Sequence, residues 1–250
     1  MYKQGEEYIS SLPQQSVSQV LEAVNITKRL PLGREHIDVL KGITFGVGHG
    51  EIVALVGPSG SGKSTLLGIL AGLDNPTSGQ IILDGIDITH MSEGKLAIIR
   101  NSKIGMVFQA YNLIATLTAQ ENVEVPLYVG KHPGPPSKRA KELLDLVGLS
   151  HRLGHRPTQL SGGEQQRVAI ARAMAADPAM IIADEPTGNL DMHNGQNILK
   201  LIADLRTQTG KTFILATHDS MVAEHADRII HIVDGAISEI THQNGGEATR

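Results

Sequence analysis

The sequence predicts an α/β fold in which helices pack against a mostly parallel β-sheet. Short apolar runs at Glu51–Val56, Met180–Ala183 and Thr212–Ala216 are each followed by a turn and then by helical sequence, which is the βαβ pattern of a parallel sheet. The chain has 250 residues, of which 40% are hydrophobic and 3% aromatic, so we expect a core of Val, Ile, Leu and Ala. This length suits one α/β domain that carries an inserted subdomain.

The first part of the chain predicts an antiparallel β subdomain ahead of the parallel sheet. Residues 1–18 are polar and rich in Gln and Ser, and we expect a flexible tail there. Val20–Thr27 alternates apolar and polar residues as a half-buried strand does, and Val39–Phe45 offers a second strand. Pro31–His36, between the two, is expected to be a loop.

Two further hairpins are predicted from Asp-Gly pairs that lie between apolar runs. One Asp-Gly pair follows Ile81–Leu83, and the other lies in the middle of Arg228–Ile240. A helix is expected over Lys63–Ala71. The last ten residues, 241–250, are polar and read as a second tail, so residues 19–240 are expected to form a single domain.

The stretch 97–160 predicts an α-helical subdomain inserted into this domain, because helical periodicity is stronger there. Pro133–Pro136 interrupts the periodicity. Ser137 is expected to cap a helix that runs to about Val147 and ends at Gly148.

Composition excludes several classes of function. A net charge of −4 and the scarcity of aromatic residues argue against a nucleic-acid binder. The chain has no cysteine, which excludes disulfides and thiolate metal sites. Residues 1–18 lack the apolar run of a secretory signal, and no run of about 18 apolar residues predicts a transmembrane helix. We therefore expect a soluble, cytoplasmic chain that reaches a membrane only through a partner.

A glycine-rich segment fits the phosphate-binding pattern G-x-x-x-x-G-K-S and lies between a predicted strand and a predicted helix. In such a loop the backbone N–H groups and the positive end of the helix face the phosphates. Lys63 is expected to reach the β- and γ-phosphates, and Ser64 to hold Mg²⁺. The predicted nucleotide-binding residues are Gly57, Pro58, Ser59, Gly60, Ser61, Gly62, Lys63, Ser64 and Thr65.

Two carboxylates, Asp184 and Glu185, end the apolar run that begins at Met180. Ligands bind at the carboxyl ends of parallel strands, so these side chains are expected near the phosphate loop. Asp184 would hold Mg²⁺ beside Ser64, and Glu185 would activate the water that attacks the γ-phosphate. Two adjacent acids alone would more often be a solvated loop.

The string Leu-Ser-Gly-Gly-Glu-Gln occupies Leu160–Gln165 and precedes an Ala-rich helix. Alone, Ser161 would be an ordinary helix N-cap. The full string, placed between the phosphate loop and the acidic strand, resembles the signature of the ABC ATPase family. The resemblance implies that Ser161, Gly162 and Gly163 of one subunit contact the γ-phosphate held by the phosphate loop of another.

Three more positions resemble that family in order. Gln109, after the apolar run Ile104–Phe108, resembles the glutamine that senses Mg²⁺ and the attacking water. Asn189–Asp191 resembles the loop that crosses the dimer interface, and His218 resembles the histidine that contacts the γ-phosphate and supports the catalytic glutamate. The resemblance covers residues 19–240 and implies a RecA-like P-loop NTPase core that uses ATP and Mg²⁺. The implied catalytic residues are Glu185, His218, Gln109 and Lys63, and the implied metal ligands are Ser64, Gln109 and Asp184.

One position departs from the family pattern. Family members usually place an aromatic residue after the first strand, where it stacks on adenine. Leu30 stands there in this chain, with no aromatic residue nearby. We therefore expect weaker discrimination between ATP and GTP.

The resemblance also implies partners. A single copy would contain half of each site, so we expect a homodimer or a pair with a related ATPase subunit. Gln109–Val125 implies a docking surface for an integral-membrane permease subunit, which would hold the chain at the cytoplasmic face of the cell membrane. Gln109–Pro126 and Asp184–Asp191 together resemble the lipoprotein-release and macrolide-export branch.

Three alternative functions fit less well. An ABC ATPase of chromosome maintenance, DNA repair or translation usually has a long coiled-coil insertion or two fused ATPase units. A binding module without catalysis is disfavoured because Lys63, Asp184, Glu185 and His218 are all present. The third alternative, a small-molecule P-loop kinase, would not account for the string at Leu160–Gln165.

Overall fold

The computed structural model describes residues 19–33, 35–129 and 132–243, which fold around two β-sheets. The predicted tails at 1–18 and 244–250 lie outside the described residues. The strands are β1 (Gln19–Leu32), β2 (Glu35–Gly48), β3 (Ile52–Val56), β4 (Ser78–Leu83), β5 (Ile86–Asp87), β6 (Ile104–Val107), β7 (Met180–Asp184), β8 (Thr212–Thr217), β9 (Arg228–Val233) and β10 (Ala236–His242). The helices are α1 (Lys63–Leu70), α2 (Glu93–Lys103), α3 (Ala119–Glu124), α4 (Pro136–Leu146), α5 (Gly162–Ala173), α6 (Met192–Thr209) and α7 (Ser220–Glu224).

The larger sheet confirms the predicted α/β core. Its six strands run in the order β10-β9-β3-β8-β7-β6, and all neighbours are parallel except β10, which pairs antiparallel with β9. Successive side chains of β3 enter different apolar clusters, with Ile52 and Ala54 in one and Val53 and Leu55 in the other. Both faces of the sheet are therefore buried, as the near-continuous apolar runs predict.

The smaller sheet confirms the antiparallel N-terminal subdomain, with strand order β2-β1-β4-β5. The predicted loop at Pro31–His36 is wrong, because the β1–β2 ladder continues to the pair Leu32 and Glu35. Pairing of β1 with β4 ends at Thr27, so beyond that residue β1 pairs with a strand on one side only. Pro31 lies in this part of β1. Proline has no N–H to donate, and a strand that pairs on one side only tolerates it.

The helical insertion differs from its predicted bounds of 97–160. Helix α2 leads directly into β6, which is the edge strand of the larger sheet, so the chain enters the inserted helical segment only after this strand. Helices α3 and α4 then pack against each other and against α5. Their apolar side chains, among them Val123, Leu143 and Leu144, belong to the same buried cluster as Ile181 of the sheet. One continuous apolar cluster thus joins the insertion to the core.

Two local features explain where α4, the main helix of the insertion, begins and ends. The predicted cap at Ser137 is wrong, since α4 begins at Pro136 and makes no side-chain cap hydrogen bond. Proline suits this first helical position because the N–H it lacks would have no helical partner there. Gly148 has a φ of 72°, and its left-handed conformation ends the helix as predicted.

Glycine at position 105 allows α5 to lie directly against β6. A Cβ at Gly105 would lie 2.3 Å from the carbonyl oxygen of Ala173.

In the part of the chain that the structure describes, no helix is both long and apolar enough to cross a membrane.

Candidate functional site

The phosphate loop lies where the sequence predicts it, between β3 and α1. Gly60 and Gly62 have φ values of 80° and 100°, a left-handed region that residues with a Cβ rarely adopt. A Cβ at Gly57 would lie 2.1 Å from the carbonyl oxygen of Ile232 in β9. The glycines of the pattern are therefore required by backbone angle and by close packing.

Lys63 is buried at the start of α1, with only 8% of its surface exposed. Its Nζ donates to the carbonyl oxygens of Gly57 and Pro58, at 2.7 and 3.0 Å. The ammonium group thus lies inside the curve of the loop, where a bound anion would meet it. Ser61 Oγ is also buried and has no hydrogen-bond partner.

A cavity of about 690 Å³ brings most of the predicted site residues together. Its lining residues are Val39, Pro58, Ser59, Gly60, Gly62, Lys63, Ser64, Thr65, Gln109, Asp184, Glu185 and His218. Four of the five segments that contribute these residues follow strands of the parallel sheet and meet at its carboxyl edge, as in other open α/β folds. Sequence reasoning missed Val39; no motif marks it, and only the position of β2 beside the phosphate loop places it here.

Asp184 and Ser64 form the part of the cavity that suits a metal. The Ser64 hydroxyl is near enough to the Asp184 carboxyl to lower its pKa. Burial raises the pKa of the Asp184 carboxyl more than Ser64 lowers it, and the nearby Glu185 carboxylate raises it further. A cation beside Asp184 would relieve this cost of burial.

The donor set agrees with Mg²⁺. Ser64, Asp184 and Gln109 line one cavity and carry hydroxyl, carboxylate and amide oxygens, and Mg²⁺ prefers oxygen ligands. Across the described residues no cluster of three or more His, Cys, Asp or Glu side chains could hold a metal. A site with a single carboxylate fits Mg²⁺ bound largely through substrate phosphates and water.

Glu185 and His218 form a hydrogen-bonded pair at the rim of the cavity. Glu185 Oε1 lies 2.8 Å from His218 Nδ1, and Thr217 Oγ1 lies 3.5 Å from Glu185 Oε2. Glu185 has a φ of 48°, and its N–H donates to the carbonyl of Ala216 in β8. A non-glycine residue in this region is strained, and such strain concentrates at functional sites.

The signature segment begins α5 and lies outside this cavity. Ser161 caps the helix: its Oγ accepts from the N–H of Glu164 at 3.3 Å, and its own N–H donates to Glu164 Oε2 at 2.8 Å. Glu164 also accepts from Arg152 at 3.0 Å. None of Ser161, Gly162 and Gly163 lines the cavity, so one chain does not bring these predicted residues to its own phosphate loop.

Leu30 does not line the cavity either. It is 42% exposed and pairs across the β1–β2 ladder with Ile37, which is also exposed. Val39, two residues further along β2, does line the cavity. An aliphatic surface therefore leads from the cavity edge along the hairpin.

A second concavity, a groove of about 320 Å³, lies between the edge of the larger sheet and the helical insertion. Its lining residues are Asn101, Ile104, Gly105, Met106, Phe108, Asn112, Pro126, Arg172, Ala173 and Ala176. Of the predicted docking segment Gln109–Val125, only Asn112 lines this groove, and Phe108 and Pro126 flank the segment at its two ends.

Comparison with known proteins agrees with this geometry. Residues 40–188 match the family model described as ABC transporter. Over 225 residues the chain is 51% identical to an ABC transporter ATP-binding protein of Thermotoga maritima, a match that covers 90% of this chain and 96% of that protein.

Solved structures of two similar proteins share the fold. The ATP-binding cassette MJ0796, dimeric in a post-hydrolysis state with ADP and Pi, has a TM-score of 0.82 and 44% identity over 90% of this chain and 100% of its own. The protein cbiO1 from Clostridium perfringens, part of the ABC transporter complex cbiONQ, has a TM-score of 0.81 and 29% identity over 90% of this chain and 89% of its own. The chain belongs to the ABC transporter family, as one of its ATP-binding and ATP-hydrolysing cassettes.

Proposed function

We propose that this chain hydrolyses ATP only as a dimer and that the cycle of closing and opening drives a membrane permease. The observation that carries the proposal is the division of the site. The phosphate loop, Asp184, Glu185 and His218 line one cavity, whereas the capped start of α5 lies away from it. Each site is thus completed by a second chain.

The phosphates of ATP bind in the loop, where backbone N–H groups and the start of α1 face them. Lys63 exchanges its bonds to Gly57 and Pro58 for the β- and γ-phosphates, which the burial of its ammonium group favours. Ser64, Asp184 and Gln109 would hold Mg²⁺, which would neutralise charge on the phosphate oxygens.

Glu185 accepts a proton from the water that attacks the γ-phosphate. His218 holds the Glu185 carboxylate through the 2.8 Å contact and contacts the γ-phosphate itself. Ser161, Gly162, Gly163 and the positive end of α5 come from the second chain and cap the γ-phosphate from the other side. Hydrolysis removes the bridging phosphate, and the two chains separate.

We propose a permease subunit as the membrane partner, docked at the groove beside Gln109–Val125. Ile114 of this segment is 43% exposed, and Tyr128 and Val129 just beyond it are 64% and 56% exposed. Apolar exposure of this kind beside a groove is typical of a protein-binding surface. Docking there places the chain at the cytoplasmic face of the membrane, and the resemblance of Gln109–Pro126 to the lipoprotein-release and macrolide-export branch favours export over import.

The Glu185→Gln variant tests the site and the dimer together. It retains the shape of the site but cannot accept the proton, so we expect turnover to fall at least about a hundredfold while ATP and Mg²⁺ trap the closed dimer. Sedimentation velocity with and without ATP measures the trap.

The matched control combines Glu185→Gln with Ser161→Arg. The added side chain blocks the surface that caps the γ-phosphate, so this protein should bind ATP and sediment as a monomer. Hydrolysis at the wild-type rate by the Glu185→Gln protein would show that Glu185 is not the base.

A further inference from the structure

Gln109 and Asn189 are 80 residues apart in sequence and are joined by two hydrogen bonds. Asn189 Nδ2 donates to the backbone carbonyl oxygen of Gln109 at 2.9 Å, and Gln109 Nε2 donates to Asn189 Oδ1 at 3.3 Å. Gln109 follows β6 and lines the nucleotide cavity, whereas Asn189 lies in the loop after Glu185. Both residues are exposed, so this pairing is formed in competition with water.

The two bonds together determine which end of the Gln109 carboxamide is available to a metal. A backbone carbonyl can only accept, so Asn189 must present its Nδ2 to it. Asn189 Oδ1 then lies next to the Gln109 side chain. Because this oxygen can only accept, Gln109 must donate to it from Nε2. This arrangement leaves Gln109 Oε1 outside the hydrogen bonds to Asn189. Oε1 is the only atom of that carboxamide able to bind Mg²⁺.

The surroundings of the pair favour this close approach. A Cβ at Gly188 would lie 2.8 Å from Gln109 Nε2, so glycine before Asn189 makes room for the amide. The Tyr111 hydroxyl donates to the backbone carbonyl of Asn189 at 3.5 Å. Two residues after Gln109 there is thus a second contact between the same two loops.

Arg172 of α5 holds the Gln109 loop in place from the other side. Its guanidinium donates to the carbonyl oxygens of Tyr111 and Asn112, at 2.8 and 2.5 Å. Both residues have left-handed backbone, with φ values of 61° and 49°. The loop that carries Gln109 is therefore fixed at its base, and the orientation of the carboxamide depends on Asn189.

We propose that Asn189 is a positioning residue for Gln109, orienting its carboxamide so that Oε1 faces the metal. The inference rests on the proposed function, since it takes Gln109 as a metal ligand. Asn189 itself would touch neither the metal nor the nucleotide.

The test measures metal binding without turnover and without dimer formation. All variants are made in the Ser161→Arg background, which keeps the chain monomeric and separates the effect on Gln109 from any effect at a dimer interface. With ATP bound, Mn²⁺ serves as the probe, and free Mn²⁺ is measured by electron paramagnetic resonance.

We expect Asn189→Ala to weaken Mn²⁺ binding about tenfold, as loss of a partner that orients a metal ligand does. Metal-free ATP binding should be unchanged, which also shows that the variant is folded. Gln109→Ala should cause a similar loss, and adding Asn189→Ala to it should cause no further loss. Asn197→Ala, at an exposed asparagine on α6, is the matched control and should bind Mn²⁺ normally.

Two results would overturn the positioning role: unchanged Mn²⁺ affinity in Asn189→Ala, or an equal further loss when Gln109 is already alanine. Failure of the proposed function looks different. In that case the Ser161→Arg background itself would hydrolyse ATP or sediment as a dimer.

Discussion

At the scale of single residues, Asp184 combines a stability cost with the metal-binding role that we propose for it. Burial raises the pKa of its carboxyl, so in the folded chain the ionised form is disfavoured relative to the unfolded chain. The protonated carboxyl therefore stabilises the folded chain, fully so below the unfolded pKa of about 3.9. This contribution is lost as the pH rises through the raised pKa of the folded state. At neutral pH the ionised carboxylate therefore opposes folding.

Asp184→Asn should raise the melting temperature of the metal-free protein at pH 7, because a neutral amide keeps the acceptor for Ser64 without the buried charge. The gain should shrink as the pH falls through the raised pKa of Asp184, because the wild-type carboxyl then becomes protonated in the folded chain. Thermal unfolding in EDTA, followed by circular dichroism across this range, measures the difference.

The same variant should lose the additional stabilisation that Mg²⁺ and ATP give the wild type, since binding to the folded state alone raises its melting temperature. A wild-type response to Mg²⁺ and ATP in Asp184→Asn would remove Asp184 from the metal site.

Leu30 stands where family members usually place an aromatic residue, and we expect this difference to weaken discrimination between nucleotide bases. Its exposed aliphatic side chain offers no ring for adenine, and a stacked aromatic is worth about 1–3 kcal/mol per base. We expect the wild type to bind ATP and GTP with similar affinity, and Leu30→Tyr to tighten ATP binding. Competition between the two nucleotides measures this, with Val24→Tyr, another exposed position of β1, as the control. Strong preference for ATP in the wild type would contradict the expectation.

At the scale of secondary-structure elements, Asn122 of α3 organises the segment before it. The side chain is fully buried: its Oδ1 accepts from the N–H of Ile114, and its Nδ2 donates to the carbonyls of Ile114, Leu117 and Thr118. These bonds replace the water that the backbone of the segment would otherwise need. One asparagine thus shapes much of the proposed docking segment.

Asn122→Ala should reduce the free energy of unfolding by about 2 kcal/mol, because it leaves partly buried backbone groups without partners. Urea denaturation measures the loss, and Asn197→Ala should change it little. Hydrogen exchange should also become faster around Ile114 and Thr118. A variant as stable as the wild type would show that water satisfies these groups.

Elements with a strong local cause could be predicted from the sequence, and those that depend on tertiary context could not. The phosphate loop and the capped start of α5 follow from glycine conformation and capping chemistry, which act within a few residues. The predicted start of the helical insertion is wrong because α2 passes into β6 between Lys103 and Ile104 with no glycine or proline at that junction. Likewise Asn122 shows its role only when its backbone partners are in place.

At the scale of the whole molecule, the arrangement of the two sheets and the insertion places two functional surfaces apart. The nucleotide cavity lies at the carboxyl edge of the parallel sheet, while the start of α5 lies outside it. The sequence could predict that both surfaces exist but not their separation in one chain, which is a matter of tertiary packing. This separation is the reason to expect that a single copy is inactive.

The rate of ATP hydrolysis per chain, measured against chain concentration with the molecular mass followed in parallel, tests this claim most directly. We expect the monomer to bind ATP without cleaving it, and the rate per chain to rise with the fraction of dimer. Full cleavage by protein that remains monomeric at every concentration would contradict it.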